Sequence, residues 1–200
     1  MRLRRRNSEK ECLPRRKDFG SKPWSYPQPV WILAAYDENG EACAMNAAWG
    51  GISEVNQVAI CLSPGHKTVK NILHTGAFTV SMATEQYAVE CDYLGIASGN
   101  SVPDKLARCG LHTEKAAHVN APLILELPMA LECKLLSYDR NTCIMLGEIV
   151  NVCADESVLT DGSIDPAKLK PVALDPVNGV YTGLGAPVAR AFHDGRKLME

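Results

Sequence analysis

No run of about eighteen apolar residues occurs in this 200-residue sequence, so nothing in it reads as a membrane-spanning helix. The eight cysteines include no Cys-x-x-Cys pair, and most sit inside apolar runs: Cys43 in EACAM, Cys61 in VAICL, Cys133 in LECKL and Cys143 in TCIML. A disulfide framework is therefore not expected. These are free thiols packed as small hydrophobes, the usage of a reducing compartment. Cys109 and His112 have the spacing of a metal pair, but no second pair accompanies them, and no metal site is expected. Familiar phosphate-loop signatures are missing too. Gly65-His66-Lys67-Thr68 lacks the Gly-Lys dipeptide and upstream glycine of a P-loop. Gly183-Leu184-Gly185 runs into Pro187 and Val188, without the strand–helix–strand unit of a dinucleotide fold.

Net charge is also scarce, though unevenly spread. The formal total is −2; residues 1–22 carry nine Lys/Arg against three Asp/Glu (+6), and the remainder twelve against twenty (−8). An acidic body argues against a nucleic-acid-binding fold. The basic arm, MRLRRRNSEKECLPRRK, has no interleaved aromatics and no apolar helical face, so residues 1–17 read as a solvated, disordered extension. It also lacks the apolar stretch that a secretion signal needs after its arginines. The expectation is one domain over residues 18–200, in the cytoplasm, with neither nucleic acid nor membrane as partner.

What is present is a succession of short apolar segments and turns. PVWILAAYD (29–37) reads as a buried strand that turns back at Asp37-Glu38-Asn39-Gly40. EACAMNAAW reads as its antiparallel neighbour, closed by Gly50-Gly51, and QVAICLS (57–63) as a third strand. HKTVKNILHTG predicts a short helix with Val69, Ile72 and Leu73 on one face and Gly76 as its stop. AFTVSMAT (77–84) alternates like a strand, EQYAVECDYLG (85–95) and KLARCG read as helical, and PMALECKLLSYD with TCIMLGEIVNVCAD forms a long hairpin turning at Arg140-Asn141. Short strands with tight turns and only a few helices predict a mainly β fold, an antiparallel barrel with helices packed outside.

Two stretches carry chemistry. Ser63-Pro64-Gly65-His66-Lys67-Thr68 joins a strand end to a helix start, where unpaired N–H groups and the helix dipole favour an anion. Lys67 adds a full charge, and Ser63 and Thr68 add hydroxyl donors. The same residues suit a plain helix start, with Ser63 as N-cap, Pro64 at the first helical position and Lys67 solvated, and the stretch alone leaves both readings open. In Asn46-Ala47-Ala48-Trp49-Gly50-Gly51 the alanines leave the backbone within reach of a flat heterocycle, Asn46 offers a donor and an acceptor, and Trp49 can wall a site. An ordinary strand end with Trp49 in the core is the competing reading.

Taken in order, AMNAAWGG, CLSPGHKTVKNIL, AFTVSMAT, DYLGIASGNSVPDK, ALECKL, GEIVNV and the closing GLGAPVARAF-x-DG resemble the flavin reductase-like, FMN-binding split-barrel family, the flavoredoxin branch in particular, from about Asp18 to the C-terminus. The resemblance implies a Greek-key split β-barrel with a few peripheral helices. It further implies a homodimer and one non-covalent FMN per subunit. Asn46, Ala47, Ala48 and Trp49 then meet the ring and ribityl chain, while Ser63, Gly65, His66, Lys67 and Thr68 line the phosphate end. Asp92, Ser98, Lys105, Ser81 and Phe192 are further candidates near the ring or substrate side, each with a hairpin, cap or packing role as the alternative. No catalytic side chain is implied, because the chemistry lies at the flavin N5. The implied activity passes electrons from NAD(P)H through FMN to a small-molecule or protein acceptor. The alternative is an electron carrier reduced by a protein partner without nicotinamide.

Overall fold

The structure is a computed structural model and describes residues 16–199. The expected disordered arm over 1–17 therefore falls almost entirely outside the described residues.

Seven strands build one antiparallel sheet: β1 (Trp31–Tyr36), β2 (Ala42–Ala47), β3 (Gly50–Glu54), β4 (Gln57–Cys61), β5 (Ala77–Met82), β6 (Met129–Asp139) and β7 (Ile144–Ala154). Their order across the sheet is β2-β1-β5-β6-β7-β4-β3. The two outermost strands, β2 and β3, are thus consecutive in the chain, separated only by Ala48 and Trp49. Laid flat, the edges of such a sheet would lie roughly 29 Å apart. The linker between Ala47 and Gly50 spans no more than about 11 Å. The sheet must therefore curl until its edges nearly meet, leaving a split at Ala48–Trp49. Gly50 is required at that seam, because a Cβ there would sit 2.7 Å from Cζ3 of the Trp31 ring.

The uninterrupted apolar run of β1 is explained by burial on both faces. Trp31, Leu33 and Ala35 point into the barrel core with Met45, Ile60, Phe78 and Met145. Val30, Ile32 and Ala34 point the other way, into an outer layer with Cys91, Leu94, Leu106 and Ile124. That outer layer holds helices α2 (Ala88–Ile96) and α3 (Lys105–Arg108), whereas Val69 and Ile72 of α1 (Lys67–Thr75) pack into the barrel core. The expected DENG turn is present, Asp37 Oδ1 accepting from the Asn39 and Glu41 amides at 2.9 and 3.0 Å. One expectation fails: Gly50-Gly51 does not close a strand but opens β3.

The long β6–β7 hairpin slips register twice, between Leu146 and Gly147 and between Ile149 and Asn151. At the first slip a Cβ on Gly147 would lie 2.5 Å from Cζ of the fully buried Phe78. Gly147→Ala is expected to destabilise the fold by about 1–3 kcal/mol through overpacking; an unchanged urea midpoint would contradict this. Two matched clamps hold the 112–126 segment, one closing the base of its short hairpin and one fastening it to β6. Glu126 accepts from the backbone N–H and Nδ1 of His112 at 2.9 and 2.7 Å, and Glu132 from those of His118 at 2.7 and 3.1 Å.

Candidate functional site

After β4 the chain continues through Leu62, whose N–H donates to the Cys143 carbonyl at 2.8 Å, and turns over Ser63–His66 before α1 begins. The N-cap is His66, in an extended conformation and with no side-chain cap; Ser63 is not the cap and Pro64 is not the first helical residue. The chain uses these residues to turn out of the sheet, the His66 N–H reaching back to the Ser63 carbonyl at 3.3 Å. The N–H groups of Lys67, Thr68 and Val69 are consequently left without intrahelical acceptors, and no acidic side chain occupies the first turn.

Facing this helix start are the end of β2 and the seam residues Ala48 and Trp49, with the C-terminal end of α2 and the following Ala97–Gly99 as a third wall. They enclose a cleft of about 410 Å³. Small residues keep its walls low: Ala47, Ala48, Gly95, Ala97 and Gly99 all line it. Gly99 has no room for a side chain, since a Cβ there would be 2.6 Å from Cys43 Sγ and 3.2 Å from Lys67 Cβ. Trp49, 57% exposed, is a wall rather than a core residue.

The cleft is cationic in a protein whose body is acidic. Its lining includes Lys67 and Lys105 and no aspartate or glutamate. Lys67 Nζ is held 3.2 Å from Asp37 Oδ2. Burial raises the Asp37 carboxyl, but the Glu41 and Asn39 amides and the Lys67 ammonium outweigh it and leave it below the usual carboxylate value. Lys105 is only 2% exposed, and its Nζ donates to the Leu94 and Ala97 carbonyls at 2.9 and 2.8 Å. Burial lowers its pKa, while its position at the C-terminal end of α2 favours the cation. A field of this sign concentrates anions.

Asn46, Ala47, Ala48, Trp49, His66, Lys67, Thr68, Ser98 and Lys105 all line this one cleft. The Thr68 hydroxyl is turned inward, 3.5 Å from Cys43 Sγ. Ser63 and Gly65 are exposed on the turn outside the lining, the Gly65 carbonyl accepting from Asn100 Nδ2 at 3.0 Å. Three more candidates also lie outside the lining. Ser81 is fully buried within the sheet, because β5 is covered on both faces. Asp92 stands behind Asn46 rather than in the lining, and Phe192 is 97% exposed on the C-terminal tail. The sequence reading missed Tyr181, Gly95 and Asp37, whose roles depend on distant parts of the chain meeting; no local pattern marks them. Cys109 and His112 are each otherwise engaged, Cys109 Sγ with the Lys105 carbonyl at 3.1 Å and His112 with Glu126. Among the described residues no helix is long and apolar enough to cross a membrane.

Known proteins share the fold. Residues 24–168 match the flavin reductase like domain. Flavoredoxin of Desulfovibrio vulgaris (Miyazaki F) superimposes with a TM-score of 0.87 at 37% identity, covering 90% of this chain and 100% of that one. A flavoredoxin from Methanosarcina acetivorans gives 0.84 at 24% identity, covering 93% and 100%, which establishes a common fold. An uncharacterised protein of Aquifex aeolicus is 27% identical over 111 residues, 52% of this chain and 55% of its own length, and the chain spans about half the length of the curated relatives it matches. The curled, almost closed sheet with peripheral helices is thus a split barrel, and the chain belongs to the flavin reductase-like domain family.

Proposed function

We propose that this protein is an FMN-binding oxidoreductase that moves electrons from NAD(P)H through non-covalently held FMN to a small-molecule or protein acceptor. The observation that carries the reading is the cationic cleft set between an uncapped helix start and a strand end made of small residues. Its donor set fits the group: cations and N–H groups at one end for a phosphate, exposed main chain at the other for a flat heterocycle.

Bound FMN would supply hydride acceptance and one-electron transfer at its N5. Lys67 and the free N–H groups of α1 hold the phosphate, with His66 beside them. The main chain of Ala47 to Trp49 and the Asn46 amide hold the polar edge of the ring, and Trp49 shields it. Lys105, fixed by two carbonyls, keeps positive potential beneath the cleft and stabilises negative charge that accumulates there. Ser98 stands at the rim, its Oγ accepting from the Asn100 amide at 3.3 Å. Phe192 belongs to a tail whose Leu184, Val188 and Phe192 are all exposed, which supports a homodimer in which the tail reaches a second copy; a solution mass of a single 21.7 kDa chain would contradict that. The cysteines among the described residues are free and buried or half-buried, which supports a cytoplasmic setting.

The experiment is anaerobic mixing of FMN-loaded protein with NADH or NADPH. Loss of absorbance near the flavin maximum is expected. A spectrum unchanged by either nucleotide favours the second reading, an electron carrier reduced by a protein partner. The likeness to flavoredoxin and the missing dinucleotide signature are the observations on that side.

A further inference from the structure

Behind the cleft, three polar side chains from distant segments form one directed chain. Tyr181, on the strand Val180–Gly183, donates its hydroxyl hydrogen to Asp92 Oδ1 at 2.8 Å. Asn46 Nδ2 approaches that same hydroxyl oxygen at 3.4 Å and donates to the Cys91 carbonyl at 3.1 Å. A carboxylate oxygen only accepts, so Tyr181 must spend its single hydrogen on Asp92 and present a lone pair to Asn46. Both Asn46 Nδ2 hydrogens are then committed, and Oδ1, with no partner among the described residues, is the polar atom this side chain has left for the cleft it lines. Burial and the Asp92 hydrogen bond push the Tyr181 phenol up to about 12, so it remains a donor across the working pH range. Gly95 makes the close approach possible: a Cβ there would lie 3.1 Å from Asn46 Cβ.

We propose that Asp92 and Tyr181 are positioning residues that fix the polarity of Asn46, so that the cleft presents a hydrogen-bond acceptor there and selects ligands whose facing edge carries a donor. The ligand half of this rests on the reading of the cleft as a flavin site. In a flavin the matching donor is the imide N3–H, flanked by two carbonyls that suit main-chain N–H groups. A ligand offering only acceptors at that edge is rejected, because a buried acceptor facing an acceptor loses its hydrogen bond and gains repulsion.

The test compares FMN with 3-methyl-FMN, which lacks that donor, on the full chain and on Tyr181→Phe and Asp92→Asn. Wild type should bind the methylated ligand about tenfold more weakly. Tyr181→Phe removes the acceptor that orients Asn46, and Asp92→Asn can donate to Tyr181 and reverse the chain; both should lose most of the discrimination. Equal binding of the two ligands by wild type overturns the proposal. Full discrimination kept by both variants assigns the effect to methyl bulk and overturns it as well. Without any ligand, the Asn46 side-chain amide protons should exchange slowly by NMR in wild type and rapidly in Tyr181→Phe, and rapid exchange in wild type overturns the relay. FMN failing to bind a protein whose Asn46 amide is protected counts against the flavin reading, with the relay upheld by the exchange data.

Discussion

Glu132→Ala is expected to lower the stability of the fold by about 3 kcal/mol, a fall in melting temperature of about 6–12 °C for a chain of this size. The carboxylate is 1% exposed in the middle of β6. It accepts from Asn151 Nδ2 across the hairpin at 2.7 Å, from the His118 backbone N–H at 2.7 Å and from His118 Nδ1 at 3.1 Å. Alanine leaves a small cavity and strips the acceptor from donors on both the neighbouring strand and the 116–121 loop. A melting temperature within about 2 °C of wild type would contradict the account. The pH dependence has a definite sign. Burial raises the Glu132 pKa, but Asn151 and His118 more than offset this and hold it below the ordinary value of 4.5. A depressed folded-state pKa contributes stability that is present above the unfolded value and lost as pH falls through the folded one. The gap between wild type and Glu132→Gln should therefore narrow once pH drops below about 4. A gap that stays constant down to about pH 3 would remove the carboxylate from the explanation.

The second large effect concerns ligand rather than fold. Lys67→Ala should weaken FMN about ten- to hundredfold, roughly 1–3 kcal/mol, and leave riboflavin almost unaffected. The contrast matters because riboflavin carries the same ring and ribityl chain without the phosphate. Asp37 makes Lys67 a prepared site, since its own carboxylate is anchored by the Asn39 and Glu41 amides and holds the ammonium 3.2 Å away at the mouth of the cleft. Equal losses for FMN and riboflavin would mean that Lys67 supports the cleft walls instead of the phosphate. No loss for either would return it to the role of a solvated ion-pair partner.

Features set by neighbours in sequence were legible before the structure. The Asp37–Gly40 turn, the helix stopped by Gly76 and the long hairpin across Arg140-Asn141 all follow from local chemistry and periodicity. The HKTVKNILHTG helix begins where its periodicity places it, whereas the capped form of Ser63-Pro64, one of two readings the stretch leaves open, gives way to a further turn out of the sheet before Lys67. Gly50-Gly51 read as punctuation; the pair opens β3, whose largely exposed edge carries no apolar alternation, and only the strand order explains why glycine is needed beside Trp31. For Ser81 the structure takes the packing alternative, since a strand covered on both faces buries both sets of side chains. Asn46 was legible as a candidate, while its orientation was not. That depends on Tyr181, 135 residues away, and on Asp92, 89 residues from Tyr181.

Titration of the purified chain with FMN, followed by Trp49-sensitive tryptophan fluorescence and the visible flavin band, tests the central claim most directly. The account predicts stoichiometric, saturable quenching by FMN, with riboflavin bound about tenfold or more weakly for want of the phosphate. Fluorescence and flavin spectrum both unchanged through the titration would contradict it.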